Sequence, residues 1–208
     1  MPLVALLLAG PLSAATFLNP ETPETRLQTA LAARDLRPQL QILRSGRVSP
    51  RSEPDRRLAV RMVGAMIMPP PNWREWMGTT ERQIAARPLY YGELRSVLGY
   101  HLAVRRPGPE SLAYQLGMNT DGASTATQLG YASLLMKESG YRFWTYAASG
   151  LPMLSGTMRE RARATIGGAI ATDSPVIAPG HLALARKRLP KADVPGVLSG
   201  YRRWKGRD

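Results

Sequence analysis

Ser52-Glu53-Pro54-Asp55-Arg56-Arg57-Leu58-Ala59-Val60-Arg61-Met62-Val63-Gly64-Ala65-Met66-Ile67, followed by Pro69-Pro70-Pro71, decides the fold class. Ser52 is a helix cap, and Pro54 falls in the first turn, where a missing N–H costs nothing. Glu53 and Asp55 face the positive end of the helix dipole. Leu58, Met62 and Met66, with Val63 and Ile67 beside them, recur at helical spacing and form one apolar stripe. The proline run then stops the helix and acts as a stiff spacer.

The same punctuation repeats outward from this segment. Asn19-Pro20-Glu21 and Thr22-Pro23-Glu24 each read as a cap, a first-turn proline and an acid, and Leu27, Ala30 and Leu31 share the face that follows. Asp35 can cap a second short helix carrying Leu40 and Leu43, ending at Gly46. Asn72 caps a turn bearing Trp73 and Trp76, and Thr80-Glu81 starts another helix that ends before Pro88. Leu94, Val97, Leu98 and Leu102 form a stripe between Tyr90 and Arg105.

Arg105-Arg106-Pro107-Gly108-Pro109 reads as an internal boundary. Beyond it, residues 110–118 and 123–138 form a helical hairpin around Asn119-Thr120-Asp121-Gly122, and Gly140 closes the second helix. Residues 153–172 read as one helix interrupted at Gly167-Gly168. Residues 173–180 read as a loop, and residues 181–189 as a last short helix before a basic tail. The short β-branched run Val176-Ile177 lies between two prolines, and strand signals are nearly absent. The expected fold is all-α, with short helices and helical hairpins joined by Pro/Gly-rich connections. The expected divisions are an apolar arm over 1–18, helical regions over 19–106 and 107–180, and a basic tail over 181–208.

The chain has 208 residues with 44% apolar side chains, enough for a buried core and too many for wholesale disorder. Eighteen prolines and 19 glycines cut it into pieces, and the lack of Cys removes disulfides, thiolate metal sites and thiol nucleophiles. Its 28 Lys and Arg stand against 15 acids, a net charge of +13 that calls for an anionic neighbour. RNA, anionic lipid or an acidic protein would each serve.

The positive pole is the C-terminus, where residues 181–208 hold 8 basic and 2 acidic groups. Arg186, Lys187, Arg188, Lys191, Arg202, Arg203, Lys205 and Arg207 alternate there with Tyr201 and Trp204. Arg forks grip phosphates in pairs, and an aromatic ring can stack on an unpaired base or settle at a lipid interface. Arg159 and Arg163 share a helical face, read as a wet surface extending this patch.

Residues 3–18 carry no charge. Sixteen residues fall short of the roughly 20 that span a bilayer, and Gly10-Pro11 breaks the run. Three readings remain: a retained apolar arm that packs on a partner, a signal peptide cut after Ser13-Ala14-Ala15, whose n-region would lack Lys and Arg, or, last, a true membrane span.

No chemical motif stands out. There is no Gly-Lys-Ser or Gly-Lys-Thr loop, no G-x-G-x-x-G turn and no G-x-S-x-G elbow, so no nucleotide cofactor is expected. His101 lies among apolar residues and reads as a packed side chain. His181 sits near the start of a helix, and neither histidine has partners at zinc spacing.

Leu134-Leu135-Met136-Lys137-Glu138-Ser139-Gly140-Tyr141, with Ala148-Ser149-Gly150-Leu151 and Gly156-Thr157 after it, resembles the catalytic segment of lytic transglycosylases. In that family a helix ends in Glu-Ser, and a serine and a Gly-Leu-Met-Gln turn follow. The resemblance implies Glu138 as a general acid, its proton retained by an apolar cleft. The chain departs from the pattern by lacking the proline after Glu-Ser, by a short spacing to Gly150-Leu151, and by Met153 or Leu154 in place of glutamine.

The leading expectation is a non-catalytic accessory subunit of a large assembly, without metal or cofactor, contacting other subunits and an anionic partner. Four Trp, eight Tyr and nine Met supply adaptable contact surface. Arg-heavy, Cys-free chains of this kind suit a mitochondrial ribonucleoprotein or respiratory assembly. The alternative is an exported glycan-cleaving enzyme using Glu138.

Overall fold

The computed structural model describes residues 36–45, 53–85, 88–118 and 123–206. All regular structure among them is helical, and no strand occurs, so the chain is all-α. It divides into two compact units, Met1–Arg105 and Arg106–Asp208. The apolar arm over 1–18, the helix expected after Pro23, the caps Asp35 and Ser52, and the turn at Asn119 to Gly122 lie outside the described residues.

The first unit contains α1 (Arg37–Ser45), α2 (Glu53–Ile67), α3 (Trp73–Ala85) and α4 (Pro88–Arg105). The stripe of α2 buries Leu58, Met62, Val63 and Met66, with Ala59 and Ala65 beside them, and packs on α1 and α4. Arg56 holds Glu53 through Nε at 2.6 Å and reaches back with Nη1 to the Arg44 carbonyl at 3.3 Å, supplying a partner to the closing turn of α1. Residues 73–85 form one helix rather than a turn and a second helix. The Thr80 hydroxyl donates to the Trp76 carbonyl at 2.8 Å, one turn back, so it does not cap a new start.

The second unit contains α5 (Pro109–Gly117), α6 (Ala123–Ser139), α7 (Tyr141–Gly150), a 3₁₀ turn (Leu151–Met153), α8 (Gly156–Ala171), α9 (Ala178–Arg188) and α10 (Val194–Lys205). Gly140 alone joins α6 to α7, at a φ of 49° that a side chain would resist. Tyr131, Phe143, Trp144 and Ile166 are completely buried. Some of the aromatic side chains expected as contact surface are therefore core: Trp144 and Tyr131.

The middle of this unit is α8, which packs against α5, α6, α9 and α10. Gly167-Gly168 does not interrupt it. A Cβ on Gly167 would overlap the Val197 carbonyl oxygen, and one on Gly200 would lie 2.7 Å from the Ala164 carbonyl oxygen. These glycines let α8 and α10 approach backbone to backbone.

The pairing runs in order: Arg163 beside Gly196, Ala164 beside Gly200, Gly168 beside Trp204. α8 and α10 are therefore parallel, and α9 returns the chain between them. Residues 194–205, which the sequence places in a tail, are a packed helix, because a glycine-lined face makes burial possible where apolar side chains are few.

Gly167→Ala should cost the second unit about 3 kcal/mol, since the obstruction is backbone and cannot swing away. Gly64→Ala, with open space around the new methyl, should instead stabilise the first unit by about 0.5–1 kcal/mol. Urea unfolding of both variants checks the pair.

Candidate functional site

Two acids of the second unit, Asp173 and Asp193, have no exposed side-chain surface, and each sits at a junction of the α8–α9–α10 segment. Burying a carboxylate this fully requires partners. Asp193, just before α10, accepts Arg159 Nε at 2.8 Å and Nη2 at 2.9 Å, and Arg163 Nε at 2.6 Å. Arg159 and Arg163 are one helical turn apart on α8, so their forks converge on a single carboxylate. Burial opposes ionisation of Asp193, but the two arginines outweigh it through hydrogen bonds and charge, and its carboxyl lies below the ordinary value. The expected shared face of Arg159 and Arg163 exists, but it is turned inward onto Asp193.

Asp173 follows α8 directly. Its Oδ1 accepts the Ser133 hydroxyl at 3.0 Å and lies 3.0 Å from Lys137 Nζ; Ser133 and Lys137 are one turn apart on α6. Its Oδ2 lies 2.7 Å from His181 Nδ1, at the start of α9. Against an ionised carboxylate that ring nitrogen is the donor. The His181 ring also faces Trp144, with centroids 6.0 Å apart.

Ser, His and Asp thus meet in space, but the serine donates to the carboxylate rather than to the imidazole. An activated serine needs the base on its own hydroxyl. Four elements, α6, α7, the end of α8 and the start of α9, are fastened at this point instead.

The sequence-predicted site residues are placed as follows. Arg186, Lys187 and Arg188 occupy the last turn of α9, and Lys191 the turn after it; all are exposed. Arg202, Arg203 and Lys205 are exposed in the last turn of α10. Cations in a last turn complement the helix dipole, which accounts for both positions locally. The Arg188 guanidinium lies 4.4 Å from the Tyr141 ring centroid, a cation–π contact. Trp204 is half-buried over Gly168, so it is part of the helix crossing as well as a neighbour of the cations. Arg207 lies outside the described residues.

Because α9 runs back against α10, the contiguous basic run separates into two clusters. The twelve residues of α10 set them roughly 18 Å apart along its axis.

Glu138 lies in the last turn of α6 and is exposed rather than enclosed by apolar side chains. Gly150, which the resemblance matches to the glycine of the Gly-Leu-Met-Gln turn, sits against the Pro109 carbonyl in the α5–α7 contact. His101 is buried in α4; burial, then the charge of Arg105, lowers its imidazole to about 4. No group of three or more metal-ligating side chains occurs among the described residues.

Two outcomes test this electrostatic account. Asp193→Ala should lose about 2 kcal/mol at pH 7, somewhat less than a fully enclosed pair would, because both guanidinium groups are partly wet. The folded carboxyl is the stronger acid, so its contribution is complete above pH 3.8 and vanishes as pH falls through the lower folded value; the gap between wild type and variant should close there. For His101 the unfolded chain takes the proton first, near 6.5, and the folded chain only near 4, so the first unit should weaken as pH falls between them. His101→Leu should flatten that dependence in thermal unfolding scans. No protein-family model, curated protein or solved structure matches the chain.

Proposed function

We propose that this chain is a non-catalytic accessory subunit of a multi-subunit assembly, mitochondrial in setting, which meets an anionic neighbour through cations on α9 and α10. The observation that carries this reading is the separation of charge in the second unit. Asp173 and Asp193 are neutralised inside, while Arg186, Lys187, Lys191, Arg202, Arg203 and Lys205 face water. Fixed cations on packed helices lose little conformational freedom on binding, which favours them over the same charges on a loose chain.

The geometry around Asp173 fits the non-catalytic part of the reading. Ser133 and His181 are both engaged by the carboxylate, an arrangement that fastens helices and does not prepare a nucleophile.

Native purification followed by sizing tests the proposal. The expected result is a particle far heavier than 22.8 kDa with fixed companions, from which an R186E/K187E/K191E variant dissociates. A chain that sediments alone, with the triple variant indistinguishable from it, would contradict the subunit reading.

A further inference from the structure

Val176 and Ile177 are adjacent apolar side chains in the turn between α8 and α9, 88% and 43% exposed. The turn that carries them is ordered. Ile177 and Ala178 both donate backbone N–H bonds to the Ser174 carbonyl at 3.0 Å, and His181 donates to the Ile177 carbonyl at 3.2 Å. Its base is held on both sides, since Asp173 enters the turn and His181 leaves it, bonded to each other. A tight, anchored turn thus presents two aliphatic side chains to water, flanked by the exposed rings of Pro175 and Pro179.

The second observation is what stands at the same end of the helices. Trp204 lies over Gly168, and Gly168 is four residues, about 6 Å of helix, before Thr172. The last turn of α10, with Arg202, Arg203 and Lys205 exposed, therefore ends beside the last turn of α8, from which the Val176 turn departs. Lys137, bonded to Asp173, adds a half-exposed cation, and Glu138 is the exposed acid beside it.

From this juxtaposition we propose that this end of the second unit docks on an anionic lipid surface. Val176 and Ile177 enter the boundary between headgroups and acyl chains, and Arg202, Arg203 and Lys205 meet the headgroups. The proposal rests on the anionic-partner reading above and names the partner.

The chemistry favours lipid over nucleic acid. An unpaired base binds a flat aromatic face, whereas the tip offers β-branched aliphatic groups and the nearby Trp204 ring is half-buried over Gly168. A bilayer supplies an apolar layer and an anionic layer side by side, matching both halves of the surface. No helix among the described residues is long and apolar enough to cross a membrane, and the contact proposed is a peripheral one.

Sedimentation of the purified full chain with vesicles tests this, using phosphatidylcholine alone and phosphatidylcholine mixed with phosphatidylserine, with polyuridylate as the RNA probe. The expected result is binding to the mixed vesicles only. V176D/I177D and R202E/R203E should each weaken it at least about tenfold, while R161E, near the opposite end of α8, should change it less than about threefold. Circular dichroism confirms that each variant stays helical; Val176, Ile177, Arg202 and Arg203 are exposed and Arg161 is half-buried.

Binding undiminished by V176D/I177D, or lost equally with R161E, would overturn the docking end. No binding to mixed vesicles would overturn the lipid assignment. Binding to polyuridylate, or a heavy native particle without lipid, would then show that the anionic-partner reading survives its loss.

Discussion

Asp193 receives both guanidinium forks of Arg159 and Arg163, and the C-terminal architecture depends on that convergence. A carboxylate with no exposed surface is tolerable only with such partners, and two arginines with only partial exposure need a shared counter-ion. The bond holds the start of α10 against α8 at the one register that also brings Gly200 onto Ala164 and Gly167 onto Val197. Charge fixes the register, and the glycines allow the close approach. Asp173 does the corresponding work at the other junction, fastening α9 through His181 and α6 through Ser133 and Lys137.

One consequence is electrostatic. A unit whose buried carboxylates are consumed in fastening its own helices leaves its remaining cations to face outward. The turn-ending positions of Arg186 to Arg188 and of Arg202 to Lys205 also suit the helix dipoles, so local stability and surface charge agree. Long-range repulsion among these cations is the counterpart, and it falls as an anionic surface approaches. The parallel α8 and α10 distribute them to two ends, and one of those ends also carries the Val176–Ile177 turn.

Much of the fold was legible because helix signals are local. The α2 stripe of Leu58, Met62 and Met66, its proline stop and the burial of His101 all follow from spacing and neighbours. Arg106-Pro107-Gly108-Pro109 lies where the two units meet in sequence. What escaped depends on long-range partners. Gly167-Gly168 reads as a helix breaker until α10 is there to be admitted, and residues 194–205 read as a tail because their packing face is made of glycine.

The site was less legible than the fold. Arg159 and Arg163 look like wet surface unless Asp193, thirty residues on, is known to lie beneath them. A usable signal existed: two arginines one turn apart, and an aspartate opening a later helix. A contiguous basic run in sequence likewise says nothing of the turn that sends its two parts to opposite ends.

Buried carboxylates at both junctions should make α8, α9 and α10 one cooperative body. Native-state amide hydrogen exchange resolved along the chain tests it most directly. The amides in the middle of α10 should exchange only with the global opening that also releases α8. Rapid exchange throughout residues 194–205, with α8 still protected, would contradict it and return that segment to a solvated tail.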